Sequence, residues 1–311
     1  MLVTPQIKAN TVNALLSDMN ARGYTSQNKY AQYIRSVLDI PFDKAAFSQI
    51  KKEDGRNALK DGSWLVLAKH FNLIGDKNWQ IAETHTFVTM QTYLESSKKH
   101  GLFRILCDHA SYGKTFSATV FAENHKGSVF YVKCDDHSTK AEFIEALASQ
   151  LGLEKTSTYN KLWREVTDKL LLMDKPLLIL DEFGDVHDSV ISLLKSLYNK
   201  ADKGDHLAIG VFHIGADNLK KKMIAGRRRQ KQSYAEYWSR CGEDILTLNI
   251  DNPRNPQQAQ QIIESEANKI LDANIPAELA EYRAEIFTKA VSRRDLRIIR
   301  EQINVKRDLV A

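Results

Sequence analysis

The 311-residue sequence is poor in cysteine and has no long apolar run. Its three cysteines, Cys107, Cys134 and Cys241, are odd in number and far apart. They support neither a disulfide framework nor a paired-cysteine metal site, and reduced thiols in a cytoplasmic protein are the expectation. No stretch reaches the roughly 20 apolar residues of a membrane-spanning helix. The longest, Leu207 to Ala216, is too short and contains His213. The opening MLVTPQIKANTVNALL lacks the apolar segment of a secretory leader. Internal repeats and low-complexity tracts are also missing. What is present is 43% hydrophobic and 27% charged residues, which excludes general disorder and fits a globular protein with a real core. Lysine and arginine number 44 against 39 acids, a net charge of +5 that permits a polyanionic partner without requiring one.

The length suits two or three domains. Residues 1–82 read as short helices. From Thr11 to Met19, Val12, Leu15, Leu16 and Met19 fall at helical spacing, and Tyr30, Ala31, Ile34 and Val37–Leu38 form a second stripe. Ile40–Pro41 breaks that helix, because the residue before proline is pushed out of the α region. Helices over 43–51 and 64–71 complete a pattern open to two readings, a DNA-binding helix-turn-helix or a plain three-helix bundle. From Thr84 onward, the apolar runs 103–107, 129–133, 177–181 and 207–214 alternate with helical segments. Buried strands alternating with helices predict an α/β fold with a parallel sheet flanked by helices, here over 83–250. The block NIDNPRNP (249–256) reads as a hinge, and 251–311 as a last, helical domain.

The sharpest motif is CDHASYGKTFSA, residues 107–118, between a strand and a helix. That is the setting of a phosphate-binding loop. Backbone N–H groups of Asp108, His109, Ala110, Ser111, Tyr112, Gly113 and on into Phe116 would cradle phosphate. Lys114 would bridge the β- and γ-phosphates of ATP and Thr115 would bind Mg²⁺. Asp108 stands where the motif has its first glycine, which threatens a backbone cost and adds negative charge near phosphate. The strand LLILDE ends in Asp181 and Glu182, 66 residues beyond Thr115. Asp181 would hold the metal ion and Glu182 would orient and deprotonate the attacking water. A strand with an acidic turn explains this motif alone, but not the two motifs in this order. The run LAIGVFHIGADN should lie beside the acidic strand, with Asp217 or, preferably, Asn218 sensing the γ-phosphate; an ordinary loop cap is the alternative.

Residues 219–232 carry Lys220, Lys221, Lys222, Arg227, Arg228, Arg229 and Lys231 with no acid among them. Such a run meets a polyanion, for which DNA phosphates are the natural candidate, or stays solvated as a mobile loop. Arg240 could reach a neighbouring subunit's γ-phosphate or form a salt bridge with Glu236 or Glu243. Arg293, Arg294 and Arg297 lie at a helix start, where Arg297 could reach the nucleotide or all three could form an exposed basic face.

Taken together, CDHASYGKT, LLILDE, Ser239–Arg240 and Leu296–Arg297 resemble the AAA+ ATPases of transposition, the Mu B and TnsC target-selection family. The resemblance covers nearly the whole chain. It implies an N-terminal helix-turn-helix domain over NKYAQYIRSVLDIPFDKAAFSQIKKED, an AAA+ core and a C-terminal helical lid. It further implies ATP and Mg²⁺ as cofactors, assembly as a homo-oligomer or helical filament on double-stranded DNA, and recruitment of a transposase. Hydrolysis would then drive disassembly, with Arg240 as an arginine finger. The departures are Asp108 and the uncertain sensor at HIGADN, which bear on turnover more than on binding. Two other readings are a helicase-loader or phage-defence ATPase on the same scaffold, and a nucleotide-switched DNA-binding regulator with little turnover.

Overall fold

The computed structural model describes residues 3–38, 40–52, 54–71, 73, 79–134, 139–154, 158–250 and 256–310. Residues 251–255, most of the expected hinge, lie outside that set.

The amino-terminal part is helical. α1 (Pro5–Ala21) begins at Thr4, whose Oγ1 accepts from the Ile7 N–H, and Pro5 occupies the first turn where no donor is lost. α2 (Gln27–Leu38) and α3 (Lys44–Ile50) flank Ile40–Pro41, and Asp43 caps α3 through the Ala46 N–H at 2.7 Å. α4 (Asp61–His70) closes a core of Leu15, Tyr30, Ile34, Phe42, Phe47, Ile50, Trp64 and Leu67. Val37, expected in the α2 stripe, is 39% exposed. At this end of α2 it is Leu38, the next residue of the expected stripe, that packs against the core.

These helices sit on the next part of the chain. Tyr24 donates its hydroxyl to the carbonyls of Ser149 and Gln150. Asp18, 3% exposed, accepts from Arg22 Nε (2.8 Å), Tyr30 OH (2.9 Å) and Lys126 Nζ (2.6 Å). The neighbouring cations hold its carboxyl below the usual range, against the opposing effect of burial.

The central part alternates helix and strand. α5 (His85–His100) starts at the cap Thr84 and stops at the left-handed Gly101. Then follow β1 (Phe103–Cys107), α6 (Lys114–Asn124), β2 (Val129–Lys133), α7 (Lys140–Gln150), α8 (Tyr159–Leu171) and β3 (Leu177–Asp181). α7 carries a capping box, Thr139 with Glu142. The chain continues through α9 (Asp188–Ala201), β4 (Gly210–Gly215), α10 (Asp217–Arg228), α11 (Tyr234–Arg240) and β5 (Ile245–Leu246).

The strands form one sheet in the order β2-β3-β4-β1-β5, all pairs parallel. The acidic strand and the HIGADN strand are neighbours, with Leu177 to Leu180 paired to Gly210 to His213. Strand β4 begins three residues later than the apolar run that announces it. Leu207 instead bridges back to Asp202, and Ala208 N–H donates to the Ala201 carbonyl. The fifth strand is two residues long, too short to give a sequence signal.

Each face of the sheet is covered, as a parallel sheet requires. On one face, α7, α8, α9 and α11 bury Phe143, Leu147, Val166, Leu194 and Tyr237 against Leu178, Leu180 and Val211. On the other, α5 and α6 share a core with α12 (Pro256–Asn274), α13 (Arg283–Arg293) and α14 (Arg297–Val310). The basic stretch 219–228, for which a mobile loop was one expectation, is the body of α10.

Candidate nucleotide site

The loop from β1 to α6 lies at the carboxyl ends of the strands: the Asp108 N–H donates to the Gly215 carbonyl at the end of β4, and Thr115 reaches Asp181 at the end of β3. Ligands of open parallel sheets bind at that edge. Ser111 (φ 75°) and Gly113 (φ 87°) take left-handed backbone angles, so the position that needs glycine's freedom is 113. A cleft of about 370 Å³ opens there, within the usual range of small-molecule sites. It is lined by Ala110, Ser111, Gly113, Lys114, Thr115, Phe116, Asp181, Glu182, Gly215, Ala216 and Arg297.

Two motifs 66 residues apart meet in this cleft. Thr115 Oγ1 donates to Asp181 Oδ2 at 2.7 Å. Asp181, at the end of β3, is 1% exposed, and its other oxygen accepts from the Glu182 N–H at 2.9 Å. Lys114 is 8% exposed and its ammonium donates to the Asp108 carbonyl at 2.9 Å and to the His109 carbonyl. Burial pulls its pKa below the ordinary lysine value, while Asp108, Asp181 and Glu182 act to keep it charged. Glu182 has φ 51°, a conformation that costs a non-glycine residue energy and persists only where the surroundings over-determine it.

Asp108 behaves differently from its sequence expectation. It is not in the left-handed region, so its Cβ is tolerated where the motif has glycine. Its carboxylate accepts from the His109 N–H (2.8 Å) and from the Leu248 N–H (2.7 Å), just past β5, and it does not line the cleft. Tyr112 is buried in the core shared with α5, and His109 is exposed. Of the nine loop residues, 110, 111 and 113–116 reach the cleft surface.

The remaining candidates divide. Arg297 lines the cleft, as the first residue of α14, 72% exposed and held by the Asp295 carboxylate at 2.9 and 2.8 Å. Its hydrogen bonds, with a further one from Ser111 of the phosphate loop, hold the Asp295 carboxyl below the usual range. Arg293 to Arg297 is not one helix start: α13 ends at Arg293 and Arg294 is left-handed (φ 51°). Asn218 does not line the cleft, which is edged there by Gly215 and Ala216. Its Nδ2 donates to Asp185 Oδ1 at 3.0 Å.

Arg240 closes α11 away from the cleft. It donates to Asn199 Oδ1 (2.8 and 3.1 Å) and to the Glu236 carbonyl (2.9 Å), and stacks over Tyr198. The Glu236 carboxylate is taken by Lys195. Lys220, Lys221, Arg227, Arg228, Arg229 and Lys231 are exposed. Arg227 lies over the Trp238 ring, and Lys231 pairs with Asp188 at 2.7 Å. Lys222 points the other way, with its ammonium on the carbonyls of Gly184 (3.1 Å) and Val186.

One contact escaped the sequence reading: Tyr131 OH, on β2, donates to Asp181 Oδ2 at 2.8 Å. Only the register of β2 against β3, with Tyr131 opposite Ile179, brings it there.

Residues 98–223 match the family model of the AAA domain. The chain carries an AAA-type P-loop ATPase domain. That match spans β1 to most of α10, and so both motifs of the AAA domain's cleft. A comparison with curated proteins finds no match. Among the described residues no helix is long and apolar enough to cross a membrane.

The donor set of the AAA domain fits Mg²⁺ and a nucleotide. A hydroxyl and a carboxylate converge at 2.7 Å, beside a buried ammonium held by the Asp108 and His109 carbonyls of the loop. Among the described residues no group of three or more His, Cys, Asp or Glu could hold a metal ion. A hard cation in this cleft would therefore complete its shell with water and phosphate oxygens, as Mg²⁺ does in nucleotide sites.

Proposed function

We propose that the chain is an ATP-hydrolysing, DNA-binding protein of the Mu B and TnsC type. It assembles on double-stranded DNA, selects target DNA for transposition and recruits a transposase, and hydrolysis drives its release. The observation that carries the ATPase part is the meeting of Thr115 and Asp181 beside Lys114. When bound, Mg²⁺ supplies neutralisation of charge on the β- and γ-phosphates. Thr115 and Asp181 would hold it, with Tyr131 keeping the Asp181 carboxylate in place. Lys114 would exchange loop carbonyls for phosphate oxygens. Glu182 would orient the attacking water and take its proton. Arg297, on the cleft rim, would bind phosphate from α14. Arg240 would act in trans, completing a neighbour's site and so tying assembly to ATP. The amino-terminal helices, as a helix-turn-helix, and the helices over 251–311, as a lid, complete this reading.

The DNA part is supported by the cationic outer surface of α10, where Lys220, Lys221 and Arg227 to Arg229 are exposed. The low-turnover reading loses its main support, because the Asp108 carboxylate is engaged by Leu248 and does not face the cleft. Anisotropy of a labelled random-sequence duplex, titrated with and without Mg-ATP at fixed salt, tests the proposal. Strong, cooperative tightening with ATP is the expected result. Identical curves would disconnect nucleotide from DNA and end the transposition reading.

A further inference from the structure

The segment after Glu182 is a turn built from Phe183, Gly184 and Asp185, closed by the Asp185 N–H on the Glu182 carbonyl at 3.1 Å. Phe183 is fully buried, edge-on to His213 with ring centroids 4.5 Å apart. The rest of the turn is held from one side, by α10. Asn218 Nδ2 donates to Asp185 Oδ1 at 3.0 Å, and the Leu219 N–H fixes that amide through its oxygen at 2.8 Å. Gly184 passes so close that an added Cβ would lie 2.4 Å from Asn218 Nδ2. One helical turn on, Lys222 places its ammonium on two main-chain carbonyls of the same segment, Gly184 and Val186.

This use of a lysine is specific. An ammonium offers three donors from a compact point charge, so it can tie two carbonyls that a planar guanidinium would have to straddle. Lys222 is half-buried there, unlike Lys220 and Lys221 beside it. Burial lowers its pKa, with Asp188 and Asp185 acting to keep it protonated. The residue the turn begins from, Glu182, sits in a left-handed conformation that needs such over-determination.

We propose that Lys222 and Asn218, one turn apart on the inner face of α10, are positioning residues that fix the turn after Glu182 and so aim its carboxylate. Lys222 therefore serves hydrolysis and leaves the DNA-binding set, which keeps Lys220, Lys221, Arg227, Arg228, Arg229 and Lys231. The inference rests on Glu182 acting in hydrolysis, as proposed above. It also gives α10 two jobs on opposite faces. A polyanion held outside and the catalytic turn held inside share one rigid helix, which is a physical route for DNA to alter turnover.

The test is Lys222→Met in the full-length protein, which keeps the stem and removes the charge. It is measured beside wild type, Glu182→Gln and the double variant. The expected result is a fall in kcat of at least tenfold. Affinity for a fluorescent ATP analogue should stay within about twofold, and the salt slope of DNA binding should not change. The double variant should be no slower than Glu182→Gln alone, since Lys222 acts through Glu182. Fully additive losses overturn the inference, because they place Lys222 on a separate path. A salt slope reduced by about one with kcat unchanged also overturns it, since Lys222 is then a phosphate contact. If Lys222→Met does not fold, Asn218→Ala is read by the same criteria. A wild type that binds ATP but never hydrolyses it, with DNA or without, refutes the hydrolysis reading itself and this inference with it.

Discussion

Replacing Asp108 by glycine restores the residue that phosphate loops usually carry, and sequence logic alone expects a faster enzyme. The structure expects a weaker protein. The Asp108 carboxylate accepts two main-chain N–H groups, from His109 at 2.8 Å and from Leu248 at 2.7 Å. His109 is exposed, so water can replace its partner at little cost. Leu248 is fully buried, and an orphaned buried donor costs about 1–3 kcal/mol. Glycine adds a backbone entropy cost of roughly 0.5–1 kcal/mol where φ is already ordinary. The sum, about 1.5–4 kcal/mol, is a large fraction of a typical stability of roughly 5–15 kcal/mol. At roughly 2 °C per kcal/mol for a chain of this size, Tm falls by about 3–8 °C. Asp108→Asn, which keeps one oxygen acceptor, should fall between wild type and Asp108→Gly. There is a second consequence at Lys114. The Asp108 charge counters the desolvation of the Lys114 ammonium, so its loss makes Lys114 easier to deprotonate and should weaken ATP binding. Thermal melts and nucleotide titrations of the three proteins decide the matter. An Asp108→Gly protein as stable as wild type, with raised kcat, would refute the assignment of Asp108 as the tie between the phosphate loop and the chain after β5.

Three further outcomes are expected. Arg240→Ala should retain nucleotide binding by the monomer but lose ATP-dependent oligomers in sedimentation velocity; oligomers that persist, with normal turnover, would remove Arg240 as a finger. Replacing Arg227, Arg228 and Arg229 together by glutamine should flatten the plot of log affinity for DNA against log salt by up to about 2.7, at roughly 0.9 per phosphate contact; an unchanged slope would move the contact surface elsewhere. His213 is fully buried with Nδ1 on the Arg104 carbonyl and Nε2 on Tyr237 OH, and burial pushes its pKa down to about 4. The unfolded chain takes up that proton first, so stability is complete above about pH 6.5 and is lost as pH falls towards 4, by at most about 3 kcal/mol. Urea melts at pH 7 and pH 5 should show a steeper loss for wild type than for His213→Gln. Equal losses would mean His213 is not neutral in the fold, and the imidazole's NMR titration would show it directly.

The parts of the fold legible in the sequence are those where one residue type has one job. Short apolar runs separated by helical segments read as buried strands, and four of them, three of five residues and one of eight, announce four of the five strands among the described residues. GKT after such a run, and two acids after another, announce the cleft, because phosphate and metal chemistry narrow the choice of residue and spacing. What was not legible depends on partners distant in sequence. β5 is two residues held by its register with Ile105 and Leu106. The acceptability of Asp108 depends on a backbone N–H 140 residues away. Arg294 ends a helix that composition alone continues, because its left-handed geometry is a matter of how α13 turns into α14.

The lysine run makes the same point more sharply. Lys220, Lys221 and Lys222 are identical in type and adjacent, so composition assigns them one role, yet a helix separates neighbours by about 100°. Lys222 shares a face with Asn218, four residues earlier, and that face packs on the turn after Glu182. Lys220 and Lys221 point to solvent. A basic run read as a loop has one function. The same run read as a helix has two faces, and the face decides which lysine meets a phosphate and which meets a carbonyl. The sequence signal was available in principle, since Leu219, Met223 and Gly226 mark the buried stripe at helical spacing. It was masked because three lysines and three arginines lower the apolar content of the segment until a solvated loop describes it as well. The tie between the outer charge of α10 and the turn carrying Glu182 therefore emerges only when the helix is packed.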